Sequence, residues 1–222
     1  MRLVLFGATG MIGQGALIEC LEDDGVDEVL AVVRKPTGRT HDKLTELIHE
    51  DFLDYATVED RFAGYDACLY CLGVSAVGMS ESDYRRVTYD FTVAAAQALL
   101  RHSPGMRMCF ISGASTDASS RQMWARVKAE AEQALLAMPW RSAHMFRPGV
   151  ILPRKGVRSG VPLYRAIYAS LGWTYPVLKA IAPSQLMTTV DLGRAMIEVG
   201  RHGHEKSILE APDINAVAAK LG

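Results

Sequence analysis

Three glycines in the spacing Gly7-x-x-Gly10-x-x-Gly13 follow directly on the apolar run Leu3-Val4-Leu5-Phe6. A strand, a glycine turn and a helix start in that order make a cradle for a pyrophosphate. Gly7 permits the sharp turn off the strand, Gly10 lets the backbone approach the phosphates, and Gly13 lets the helix pack closely. Thr9 flanks the turn, and the amides of Met11, Ile12 and Gly13 open the helix, where negative charge is received. The ligand this predicts is a dinucleotide. Its identity is read at the end of the second strand, where Arg34 and Lys35 follow Ala31-Val32-Val33. An acidic residue there would accept from a free ribose 2'-hydroxyl, whereas a guanidinium offers a fork to a 2'-phosphate. NADP(H) is therefore expected in preference to NAD(H). Asp51-Phe52, just after the third strand, is the place for a carboxylate to meet the adenine amino group.

Other chemistry-bearing letters carry less. Cys68-Leu69-Tyr70-Cys71 has the form of a redox pair, but inside a strand positions three apart face opposite ways and cannot converge on a bridge. His202-Gly203-His204-Glu205 lacks the third ligand and outer partners of a metal site, so no metal is expected. Neither a Gly-x-Ser-x-Gly elbow nor a phosphate-loop lysine occurs, which argues against a hydrolase or a kinase.

The elements that must hold these residues alternate between short apolar runs and longer helical patterns, as in a parallel sheet covered on both faces. Strands are expected at residues 2 to 6, 28 to 33, 46 to 50, 66 to 72, 106 to 111 and 143 to 147, with a short last one at Ser207-Ile208-Leu209. Helices are expected at 11 to 23, 57 to 63, 80 to 102, 121 to 138 and 191 to 200, the last capped by Asp191. This predicts an α/β fold, a Rossmann-like doubly wound sheet. The 222 residues suit one domain, with an excursion around 150 to 190 whose apolar stretch from Leu163 to Ala182 would cover the substrate or contact a second copy. Arg165, Pro176 and Lys179 interrupt that stretch, so it is not a membrane span. A net charge of -1 without a basic stripe leaves nucleic acid out and favours a small-molecule substrate. Four cysteines without a disulfide framework, and an apolar start too short for a signal peptide, point to the cytoplasm.

Together with Cys71-Leu72-Gly73, Ser112, Lys128 and Arg147-Pro148-Gly149, these features resemble the extended and atypical short-chain dehydrogenase/reductases. More narrowly, the chain resembles small bacterial proteins described as NAD(P)-binding or nucleoside-diphosphate-sugar epimerase-like. The resemblance implies that Cys71, Leu72 and Gly73 lie along the cofactor and that Arg147, Pro148 and Gly149 lie near the nicotinamide. It also implies a catalytic serine at Ser112 and a lysine at Lys128 holding the nicotinamide ribose. The family's tyrosine, four residues before that lysine, is here Trp124. An indole N-H donates a hydrogen bond but is no proton donor near neutral pH. Two functions follow: an NADP(H)-dependent oxidoreductase or epimerase-like enzyme on a carbonyl or hydroxyl compound, or an NADP(H)-binding sensor that kept the fold without the chemistry. The resemblance also implies a homodimer. It does not set the substrate.

Overall fold

The computed structural model describes residues 1–157 and 183–221. Strand β1 (Arg2–Phe6) leads into α1 (Met11–Glu22), followed by β2 (Glu28–Val33), β3 (Leu44–Ile48) and β4 (Ala67–Tyr70). Next come α2 (Glu81–Arg85), a π turn (Arg86–Asp90) and α3 (Phe91–His102). The chain continues through β5 (Arg107–Ile111), α4 (Met123–Leu136), β6 (Ser142–Arg147) and β7 (Val150–Leu152). Beyond the undescribed segment lie β8 (Leu186–Thr188), α5 (Thr189–His202), β9 (Ile208–Glu210) and α6 (Ala211–Ala219).

Seven strands form one sheet in the order β3-β2-β1-β4-β5-β6-β9, with every neighbouring pair parallel. Apolar residues alternate between its faces. Leu3, Leu5 and Ala31 pack under α1 and α5 with Ala16, Leu17, Leu192 and Met196. Val4, Phe6, Leu30 and Val32 pack under α3 and α4 with Ala95, Leu99, Ala131 and Leu135. Both faces being covered is why these strands read as unbroken apolar runs. The sheet order reverses at β1 and β4, so the glycine turn after β1 sits where such sheets bind ligands.

Several boundaries differ from expectation. The third strand lies at Leu44–Ile48 rather than 46 to 50, which puts Glu50 beyond the strand end. The helix expected at 57 to 63 is only a 3₁₀ turn, Glu59–Phe62. The long helix of 80 to 102 contains the π turn, which carries Val87 into the ligand cleft. The parallel pair β7–β8 and the helix α6 were not anticipated, because three-residue strands and a nine-residue helix carry little periodicity. The expected lid from Leu163 to Ala182 lies outside the described residues.

The cap of α5 is also reassigned. Thr188, not Asp191, is the N-cap: its Oγ1 accepts from Asp191 N at 3.1 Å while Asp191 Oδ2 accepts from Thr188 N at 2.8 Å. Each side chain thus satisfies the other's amide. Thr188→Ala is expected to cost about 1 kcal/mol of stability. A urea unfolding midpoint equal to wild type would show that the box contributes nothing.

Candidate functional site

The glycines of the turn differ in what surrounds them. Gly7 has φ +78°, and a Cβ on it would lie 2.6 Å from the Cys71 carbonyl and Leu72 N. A Cβ on Gly13 would lie 2.0 Å from Gly7 O. Those two glycines are demanded by the protein's own backbone. Gly10 is not, since a Cβ there would meet nothing closer than Gly7 O at 3.4 Å. Its bareness faces open space, as a residue approached by a ligand requires. The turn is closed by Gly10 N donating to Gly7 O at 2.9 Å, and Gln14 Nε2 pins Thr9 O at 2.7 Å. Gly10 is the N-cap of α1, with no side-chain cap and no acidic residue in the first turn. The first amides of the helix are therefore left for an external anion.

Beside this turn a cavity of ≈ 640 Å³ runs from Gly7 and Thr9 across Val33 to Arg34, Lys35 and Phe52. A second, of ≈ 240 Å³, continues from the same turn past Gly10 to Cys71, Leu72, Gly73 and Phe91. Arg34 and Lys35 are exposed, and neither makes a hydrogen bond or ion pair with a described residue. Phe52 is buried, its ring packed against Phe6, Tyr55 and Phe91. Asp51 is placed differently from expectation. Its Oδ1 accepts from Leu53 N at 3.0 Å, and it lines neither cavity. The carboxylate that lines both is Glu50, exposed by the earlier end of β3.

At the carboxyl end of β5, Ser112, Trp124 and Lys128 come together. A Cβ placed on Gly113 would lie 3.6 Å from Trp124 Cζ3 and 3.8 Å from Lys128 Cδ, so the helix face of α4 that carries both leans on the residue next to Ser112. Lys128 Nζ donates to Ile111 O at 3.2 Å and sits 5.4 Å from the centroid of the Phe110 ring. Burial pulls its pKa down to about 8, and Glu132, one turn on, opposes that shift. Ser112 is buried, with Oγ 3.0 Å from Thr116 Oγ1. Because Thr116 Oγ1 donates to Gly113 O at 2.8 Å, Ser112 must be the donor to Thr116. Thr116 has no counterpart in the sequence reading. A threonine four residues on in a loop carries no periodic signal.

Arg147 has other partners than those expected. Its guanidinium grips buried Glu132 through Nε and Nη2, at 2.9 and 2.6 Å, and reaches Glu210 through Nη1 at 3.1 Å. The charge is committed to tying α4 to β6 and β9. Pro148 joins the two loops by accepting from Ala114 N at 3.3 Å. Cys68 and Cys71 pack on opposite faces of the sheet, as expected, and burial pushes both thiols up. Among the described residues no group of three metal-binding side chains occurs, and no helix is long and apolar enough to cross a membrane.

The seven-stranded parallel sheet and the glycine turn after β1 define a Rossmann-like fold with a turn of the dinucleotide-binding form. Residues 7–142 match the family model described as NAD(P)H-binding, and the chain belongs to that family. Among its relatives is Protein FMP52, mitochondrial, of Eremothecium gossypii, 28% identical over 155 residues that cover 68% of this chain and 67% of that one. Another is Protein HTATIP2 of Rattus norvegicus, 24% identical over 205 residues, covering 88% and 84%. The fold is shared with MoeE5 in complex with UDP-glucose and NAD (TM-score 0.68, 16% identity, 100% of this chain and 82% of that one). It is shared too with the short-chain dehydrogenase/reductase YIR035C of Saccharomyces cerevisiae (TM-score 0.67, 14% identity, 98% of each chain).

Proposed function

We propose that the protein is an NADP(H)-dependent oxidoreductase that acts on a small carbonyl or hydroxyl compound. The observation that carries this reading is the pair of cations Arg34 and Lys35, without a partner among the described residues and in the same cavity as Gly7 and Thr9. In this reading the start of α1 holds the pyrophosphate, and Arg34 forks onto the 2'-phosphate. Phe52 and Val33 wall the adenine end. The bound nicotinamide supplies hydride-transfer chemistry.

The chain's own residues do the rest. Ser112 polarises the substrate oxygen after turning its hydroxyl proton away from Thr116. Lys128 places an ammonium beside that serine, and its charge is present below pH about 8 and lost above. Turnover is therefore expected to fall as pH rises through that value. Trp124 can donate a hydrogen bond but does not give up its N–H proton near neutral pH, so the proton on the product oxygen comes from solvent and intrinsic turnover is slow.

Trp124 favours a second reading, an NADP(H) sensor whose pocket no longer reacts. The two part in one experiment, loss of NADPH absorbance against aldehydes, ketones and quinones. For an enzyme, Trp124→Tyr raises turnover by up to about tenfold, well below the ~10² to 10⁴ of a general acid in ideal geometry, and Lys128→Ala lowers it. Tight NADPH binding with no turnover in wild type or either variant would establish the sensor.

A further inference from the structure

At the opposite end of the strands from the glycine turn, a shallow cavity of ≈ 440 Å³ is lined by Arg107, Arg141, Ser142, His202, His204 and Glu205, together with Gly203. Arg107 opens β5 and Ser142 opens β6, and the two are partners across that ladder, so their side chains leave the same face side by side. Gly203 has φ +78°, and a Cβ on it would stand 3.4 Å from Arg107 Nε, 3.7 Å from Ser142 Oγ and 3.9 Å from His144 Nε2. Three polar groups thus converge on a point the glycine leaves bare.

Arg2, Arg85, Arg101, Arg126, Arg147 and Arg201 each pair with a carboxylate. Neither Arg107 nor Arg141 makes a side-chain hydrogen bond or ion pair with a described residue. Arg107 is partly buried, and its guanidinium is pulled below the usual range, first by desolvation and then by the charge of Arg141; Cys109 and Asp66 oppose this. Two adjacent cations, one partly buried and both without an acceptor among the described residues, are an arrangement that an anion stabilises. The surrounding groups leave that role open. Asp66 accepts from Arg2 N, His202 lies 3.9 Å from Glu198, and Glu205 is exposed at the rim.

His144 reports on the site. Its Nδ1 lies 3.0 Å from Lys206 O and so carries the proton, while Nε2 accepts from Ser142 Oγ at 3.0 Å. Burial holds its pKa below the ordinary value, with His204 and Arg107 adding to that and the Lys206 carbonyl opposing it.

We propose that this cavity is a second, cofactor-independent binding site for the phosphate or sulfate group of a small molecule, with Arg107 and Arg141 supplying the charge and the donors. Five residues of strand β5 separate it from Ser112, roughly 16 Å. A ligand there would leave the cleft free.

The test is a site-resolved NMR titration of the whole protein with sulfate, a dianion throughout the neutral range, and in parallel with glucose 6-phosphate. Saturable shifts at Arg107, Ser142 and Gly203 are expected, with the His144 titration moving to higher pH as the anion offsets the field of Arg107. Arg141→Gln, an exposed loop change that spares the fold, should weaken binding by ~10-fold or more, the worth of a lost charge-assisted hydrogen bond. Tighter binding of glucose 6-phosphate would assign the site to phosphomonoesters, and equal binding to the free oxyanion. Non-saturating shifts, the same affinity in Arg107→Gln and Arg141→Gln, or a response only to an extended polyanion such as heparin would overturn the proposal. These outcomes do not depend on which dinucleotide the cleft takes.

Discussion

Gly10→Val is expected to leave a folded protein that no longer binds a dinucleotide. The fold half of this prediction rests on the space around Gly10, whose nearest neighbour to an added Cβ is a single carbonyl oxygen at 3.4 Å and whose φ of -79° suits any residue. The binding half rests on the uncapped start of α1. A branched side chain there stands between the ligand's phosphates and the amides that would receive them, and losing two hydrogen bonds to charged oxygens costs about 3 kcal/mol or more, over ~100-fold in affinity. Gly13→Ala is the contrasting change. Its Cβ would lie 2.0 Å from Gly7 O, so α1 must shift off the strand and stability falls with binding. Circular dichroism melts and a fluorescence titration with NADPH separate the two. Retained binding in Gly10→Val would move the cofactor elsewhere, and a collapsed fold would show that Gly10 serves the turn alone.

The architecture was legible because its signals are periodic and local. Buried parallel strands must be continuously apolar, so β1, β2, β4, β5 and β6 stand out between turns, and the glycine spacing that follows β1 has few other uses. Short elements escaped for the same reason. The pair β7–β8 is held by three residues on each strand, and its partners lie 36 positions apart, as Val150 with Leu186. Nothing in a window of neighbouring residues can announce that pairing.

Within the site, the helix spacing puts Trp124 and Lys128 on one face of α4, which leans on Gly113, the residue after Ser112. What could not be read were partners chosen by tertiary packing. Arg147 looked available for a ligand because its competitors, Glu132 on α4 and Glu210 at the end of β9, are 15 and 63 residues away. Ser112 looked like a ready donor, but its hydroxyl already donates a hydrogen bond to Thr116. The third strand ends two residues earlier than expected, which puts Glu50, in place of the expected Asp51, at the border of the cavity.

Cofactor choice is the central claim, and it turns on Arg34. This guanidinium is exposed, borders the cavity that begins at Gly7 and Thr9, and forms no ion pair with a carboxylate among the described residues. A 2'-phosphate would take two charge-assisted hydrogen bonds from it, whereas a 2'-hydroxyl takes at most one weak one. The direct measurement is calorimetric titration of NADPH and NADH against wild type and Arg34→Asp. Wild type is expected to bind NADPH the more tightly. Arg34→Asp is expected to weaken NADPH by ~10²-fold, since the phosphate then meets a carboxylate in place of two hydrogen bonds of about 1.5 to 3 kcal/mol each, and to leave NADH within a few-fold. Equal losses for both cofactors, or a wild type that prefers NADH, would contradict the assignment of Arg34 to the 2'-phosphate and with it the reading of this protein as an NADP(H) enzyme.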